Sequence, residues 1–226
     1  MSPESRRRPP FELVEQVMRR FVREYPNAVL FGGWATYLRT GAAKSHDIDV
    51  IVDHSTLDRL RSKHALSESR HIGGKKFELK MEGVGVDVYP VYQSRLGREL
   101  QLPVEALIGW SERIGQVKVL TAEAQFAAKM AALLDRPDTL PGEKDRQEMW
   151  GLLNADSGLD FKIVASLLRQ AGKSHDQQIG LLVTTFDLLA ETSGMSKADR
   201  SALHRLRNSA LESVRGLERG ANEFER

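Results

Sequence analysis

The chain of 226 residues contains no cysteine. That absence excludes disulfides, thiolate metal sites and a cysteine nucleophile. Long apolar runs are missing too, and none approaches the ~20 residues needed to span a bilayer; no membrane partner is expected. Arg6-Arg7-Arg8 is followed by Pro9-Pro10 and no hydrophobic stretch, which does not make a signal peptide. Charge of one sign is not in excess, because the formal net charge is only +2. A pI near 8.9 therefore says little about partners, and no strong field points toward nucleic acid or an acidic membrane surface. There is no internal repeat and no low-complexity segment. These absences leave a soluble, cytoplasmic globular protein as the expectation, long enough for one large domain or two small ones.

What the chain does have is clear punctuation. Residues 1–10 are polar and basic and end in two prolines, the composition of a flexible arm. Val14, Val17, Met18, Phe21, Val22 and Tyr25 recur at helical spacing, with Pro26 just beyond. Residues 28–31 read as a short buried strand leading into Gly32-Gly33, residues 34–40 as a helix closed by Gly41, and residues 47–52 as a second strand. Ser55-Thr56-Leu57-Asp58 has the form of a capping box opening a helix to about Leu66. After a loop with Gly73-Gly74, residues 76–81 alternate like a strand, Glu82-Gly83 turns the chain, and residues 84–91 return as the second arm of a hairpin. Residues 94–116 read as irregular apart from a short helix near 103–109, and residues 117–120 as a last strand.

From Thr121 onward the pattern is helix after helix. These are expected over residues 143–153, 161–169 and 176–190, and from Ser196, capped with Asp199, to about Glu218; residues 220–226 should fray. The fold class is α+β, with a strand-bearing domain over 11–120 and an all-helical domain over 121–226.

The chemistry gathers around residues 31–50. Side chains on a strand alternate faces, so Asp47 and Asp49 project from one side while His46, Ile48 and Val50 take the other. Two carboxylates crowded on one face repel unless a cation lies between them, and oxygen-only ligands suit Mg²⁺ or Mn²⁺. The Gly32-Gly33 turn opening a helix beside that face offers backbone N–H groups to phosphate. Asp87, between Val86 and Val88, joins them if the two strands are sheet neighbours. His64, His71, His175 and His204 show no ligand spacing, and Gly73-Gly74-Lys75 lacks the rest of a phosphate loop.

A hydrophobic residue, Gly-Gly, Asp-x-Asp on a strand and a third Asp on another strand resemble the minimal nucleotidyltransferase fold. Residues 76–80 sit where that fold has a hairpin before the third carboxylate. Residues 120–131 resemble its helix with an internal lysine, here Lys129, and Lys144-Asp145-Arg146-Gln147-Glu148-Met149 resembles the Lys-Asp-x-x-Asp-like segment after it. Over residues 28–153 the set resembles the AbiEii/MenT-type nucleotidyltransferases, many of them toxins of bacterial toxin–antitoxin pairs; the last seventy or so residues carry no such resemblance.

In that reading Asp47 and Asp49 hold a cation that bridges the triphosphate of an NTP, and Asp87 shares a second cation and is the candidate general base. Gly32 and Gly33 let the backbone approach phosphate, and Ser45 hydrogen-bonds a phosphate oxygen. Lys129 neutralises phosphate charge, while Asp145 orients Lys129 or contacts base or sugar. The site is expected at the seam between the two halves. The resemblance implies a tRNA 3′ end or a protein side chain as acceptor, and a cognate antitoxin as partner. Two rivals stay open: a small-molecule, aminoglycoside-type nucleotidyltransferase, and a nucleotide- or partner-binding module without turnover.

Overall fold

The structure, a computed structural model, describes residues 8–41, 43–71, 74–155 and 158–224. Residues 1–7 of the expected arm and Gly73 lie outside them. Helix α1 (Phe11–Glu24) buries the expected stripe of Val14, Val17, Met18, Phe21 and Val22. Strand β1 (Val29–Phe31) runs straight into helix α2 (Gly32–Thr40), which includes both glycines rather than starting at Trp34. Gly41 ends that helix in the left-handed region, its N–H bonded to the Tyr37 carbonyl at 2.8 Å. Strand β2 (Asp47–Val52) follows, then helix α3 (His54–Lys63).

The cap of α3 is Asp53 and not Ser55. The Asp53 carboxylate accepts the Thr56 N–H at 2.7 Å and the Ser55 hydroxyl at 2.9 Å. Asp53 has the extended backbone of a cap (φ −77°, ψ 172°) while Ser55 already lies within the helix, so Asp53 takes the position and the Ser55 hydroxyl donates to it.

Strands β3 (Ser67–His71), β4 (Gly74–Met81) and β5 (Val84–Pro90) come next. The segment expected to be irregular holds strands β6 (Arg95–Leu96) and β7 (Leu102–Pro103), helix α4 (Val104–Ile108) and strand β8 (Ser111–Ile114), which pairs with β9 (Val117–Leu120). Helices α5 (Ala122–Asp135), α6 (Leu140–Leu153), α7 (Phe161–Gln170), α8 (His175–Leu189) and α9 (Lys197–Phe224) complete the chain. Ser196 and Asp199 do form a reciprocal cap, and the helix they open continues past 218 to Phe224.

The sheet is mixed and its order is β3-β4-β5-β2-β1-β9-β8. Because β2 is antiparallel to β1 and parallel to β5, the end of β1 lies beside the early residues of β2, which lie in turn beside the middle of β5. Alternation then divides the side chains between two cores. Ile48, Val50 and Val52 of β2 and Val84, Val86 and Val88 of β5 pack on one face with α1 and α3. Phe31, Ile51 and Tyr89 point to the other face and join α5 to α9 in a second core containing Phe126, Met149 and Leu167. The chain is thus an α+β fold, a mixed sheet with flanking helices followed by a helical region that closes one sheet face.

Candidate active site

One row of residues crosses four strands on the α5 side of the sheet. Phe31 lies opposite Asp49 in the β1–β2 register, Asp49 opposite Asp87 in the β2–β5 register, and Asp87 opposite Glu78 in the β4–β5 register. Asp47 sits two residues before Asp49 on the same face. Asp47, Asp49 and Asp87 line one cleft of about 370 Å³ together with Gly32, Lys76 and Lys129. Its far wall is α5, so the cleft opens at the seam between sheet and helical region.

The two glycines have a steric role that their sequence did not disclose. Gly32 has φ +69°, and a Cβ there would stand 2.2 Å from Asp49 Oδ2. At Gly33 a Cβ would stand 2.7 Å from Ser45 Cβ. Each missing side chain therefore admits a side chain of β2 or of the segment before it. Gln125 of α5 fixes the turn from the other side, its amide donating to the Gly32 carbonyl at 2.8 Å and to the Thr36 hydroxyl at 2.9 Å. Phe31, at the N-cap of α2, offers no side-chain oxygen to that helix, and the first turn has no acidic residue.

The carboxylates are electrostatically strained. Burial pushes Asp49 well above the ordinary aspartate range, and the charges of Asp47 and Asp87 push it further; Lys129 and Lys76 only partly offset this. Asp87 is raised too, again chiefly by burial, although the Lys76 ammonium opposes it. Lys76 Nζ lies 2.9 Å from Asp87 Oδ2 and 2.9 Å from Glu78 Oε1. Ser45, expected to face phosphate, donates its hydroxyl to Asp47 Oδ1 and accepts from Lys144 Nζ at 3.3 Å. The described residues contain no group of three or more acidic or histidine side chains already placed to hold a metal ion. The donor set nevertheless fits a hard divalent cation: all-oxygen carboxylates, adjacent in register, whose mutual repulsion a cation would relieve.

Lys129 projects from α5 into a buried ionic cluster. Its Nζ lies 2.9 Å from Asp145 Oδ1 and also contacts Glu148 Oε2. Burial alone would depress this ammonium, but Glu148 and Asp145 more than reverse that and hold it above the ordinary lysine range. Arg136 adds a two-pronged contact to Asp145 Oδ2, from Nε at 3.0 Å and Nη2 at 2.7 Å. Lys144 reaches Glu148 Oε1 at 3.5 Å, so α6 is tied through Lys144 and Ser45 to Asp47. Asp145 is almost wholly buried and faces Lys129 and Arg136.

His46 stacks on Phe11 with ring centroids 4.2 Å apart, on the side away from the aspartates, as alternation required. Lys76, Lys144 and Glu148 belong to segments that carry the family resemblance but were assigned no role there, and neither Arg136 nor Gln125 is among its named site residues. Glu148 had a signal: it lies three residues after Asp145 and four after Lys144, on one face of a helix. So did Lys76, because a two-residue turn at Glu82-Gly83 sets the register that brings it to Asp87.

No family model matches the sequence, and no curated protein matches it. Solved structures of related outline include JHP933 from Helicobacter pylori, 15% identical over 100% of both chains, with a TM-score of 0.45. A second Helicobacter pylori protein, provisionally assigned as a nucleotidyltransferase, is 16% identical over 96% of this chain and 99% of its own, with a TM-score of 0.47. An antigenic nucleotidyltransferase-like protein from Paracoccidioides brasiliensis is 16% identical over 77% of this chain and 91% of its own, with a TM-score of 0.42. Likeness of this degree is one of outline and assigns neither family nor activity.

Proposed function

We propose that the protein is a metal-dependent nucleotidyltransferase that moves NMP from an NTP to an acceptor hydroxyl. The observation that carries this reading is the row of Asp49 and Asp87 in adjacent strands, with Asp47 beside them, facing one cleft next to the Gly32 turn. Such crowding of like charge in a partly buried cleft is costly to the fold and is explained by the binding of positive charge.

Asp47, Asp49 and Asp87 would hold Mg²⁺ or Mn²⁺, which supplies charge stabilisation beside the triphosphate and favours the attacking oxygen. In the transfer itself the acceptor oxygen forms a bond to the α-phosphorus. The bond from that phosphorus to the bridging oxygen of the β-phosphate breaks, and pyrophosphate leaves with the electron pair. Asp87, the more accessible raised carboxylate, takes the acceptor proton. The N-terminus of α2 at Gly32 and Gly33 offers N–H groups to the phosphates, and Lys129 contributes positive charge from the opposite wall. Asp145 and Glu148 fix Lys129 from behind, which favours orientation over nucleotide contact as the role of Asp145. Ser45 sets Asp47.

The sequence resemblance to AbiEii/MenT-type enzymes extends the proposal to a toxin with a cognate antitoxin, acting on tRNA or on a protein hydroxyl. Incubation with each NTP, Mg²⁺ or Mn²⁺, and tRNA, protein or aminoglycoside acceptors tests it by pyrophosphate release. A transferase releases pyrophosphate with one acceptor class and stops when the metal is chelated. No release with any NTP and acceptor, under conditions where the protein melts cooperatively, would sink the reading.

A further inference from the structure

Lys76 is a cation set among the very groups to which the proposed function gives a metal role. It projects from β4 on the same face as Asp87 and Glu78, held 2.9 Å from a carboxylate oxygen of each. Its side chain is only 14% exposed, and it lines the same cleft as Asp47 and Asp49. Neighbours on the same strand point the other way, with Phe77 and Leu79 buried in the opposite core. The stem is therefore anchored by strand alternation, and the ammonium is directed at the third carboxylate.

Among the described residues, no ammonium lies within ion-pair distance of Asp47 or Asp49 as Lys76 does of Asp87. The Asp47 carboxylate accepts the Ser45 hydroxyl, and Asp49 feels Lys76 and Lys129 through space. The three acids are thus unequal: two are available to a divalent ion, while the third already carries a neutralising charge.

We propose that Lys76 acts as a built-in counter-cation that reserves Asp87, so that the nucleotide-free protein takes one divalent ion and admits a second only with an NTP. The triphosphate offers Lys76 anionic oxygens in exchange for Asp87, which frees that carboxylate when substrate is present. This rests on the reading of Asp47, Asp49 and Asp87 as a metal site and adds an order of events to it. It makes Lys76 a positioning residue whose effect is on ion occupancy. A merely structural lysine would leave that occupancy unchanged.

The test is a titration with Mn²⁺ alone, read by electron paramagnetic resonance and calorimetry, and repeated with a non-hydrolysable NTP analogue. Wild-type protein should bind one ion without nucleotide and two with it. Lys76→Met should bind two without nucleotide, tightening the second by about tenfold or more, the scale of one lost charge contact at a half-buried carboxylate. Lys76→Arg should keep one ion, because the charge is retained, and Lys76→Gln repeats the neutral case with a polar side chain. Lys76→Met with Asp87→Asn should return to one ion, since the freed carboxylate is gone. Two ions of similar affinity in the nucleotide-free wild type, or an unchanged single ion in both neutral variants, would overturn the proposal for Lys76 alone. No Mn²⁺ bound by any form would overturn the metal site itself.

Discussion

Gly32 carries a hydrogen where any other residue would place a carbon 2.2 Å from Asp49 Oδ2, and it does so at φ +69°. Gly32→Ala therefore meets two obstacles, backbone strain and collision with a site carboxylate. Each strained position of this kind costs about 1–3 kcal/mol, and chemical denaturation should show a loss of at least that size together with lost nucleotide binding. Asp49 itself should show the opposite pattern. Its folded-state pKa lies well above its unfolded value, so the folded protein holds a proton that the unfolded chain gives up. Stability from this group is present below the ordinary aspartate pKa and is lost as pH rises through the raised one. Asp49→Asn removes that loss. Melting between about pH 5 and about pH 8 in chelator should show a gain for the variant that grows with pH; a variant less stable than wild type at the upper end would contradict the electrostatic account. Asp47 and Asp49 were legible as one face because strand alternation is a strict rule, whereas Asp87 joins them only through the β2–β5 pairing, which the sequence left open. The partner of Ser45 was not legible, because a hydroxyl two residues from a carboxylate can turn to it or to a ligand equally well.

At the scale of elements, α5 and α6 are joined by charge as well as by apolar packing. Lys129 lies between Asp145 and Glu148, both nearly without solvent contact, and Arg136 closes the far side. Lys129→Met keeps the stem but leaves two buried carboxylates without their shared cation. Breaking a buried pair from one side costs about 3–5 kcal/mol. Adding Glu148→Gln should recover part of the loss, and a double-mutant cycle by denaturant unfolding measures the coupling; strict additivity of the two changes would mean that the pair contributes no interaction of its own. Helices and the β4–β5 hairpin were readable in sequence because apolar periodicity and the Glu82-Gly83 turn specify them. Strand β3, with its Ser-Glu-Ser-Arg-His sequence at the sheet edge, has no apolar alternation to read and is held by pairing with β4. The capping of α3 by Asp53 was missed because two overlapping motifs compete there, and only the backbone geometry chooses between them.

For the whole molecule, the helical region covers a sheet face that would otherwise be apolar and wet. Phe31, Ile51, Tyr89 and Leu120 share one core with residues of α5 through α9. A fragment ending at residue 120 would expose that face, so it should bind a hydrophobic dye and lack a cooperative melt; a soluble fragment with a sharp transition would show instead that the strand-bearing part folds alone. The change from strands to helices after residue 120 was visible in sequence, but the core shared across it was not, because alternation shows which residues are buried and never against what. The same seam holds the cleft, with the aspartates on the sheet side and Lys129 on the helical side. Transfer of label from an α-³²P-NTP to an acceptor, run on wild type and Asp49→Asn in parallel with their melting curves, tests the central claim most directly. Metal-dependent transfer by the wild type, lost in a variant that melts at or above the wild-type temperature, is the result predicted. Equal transfer by Asp49→Asn, or no metal-dependent transfer by folded wild type with any NTP, would contradict it.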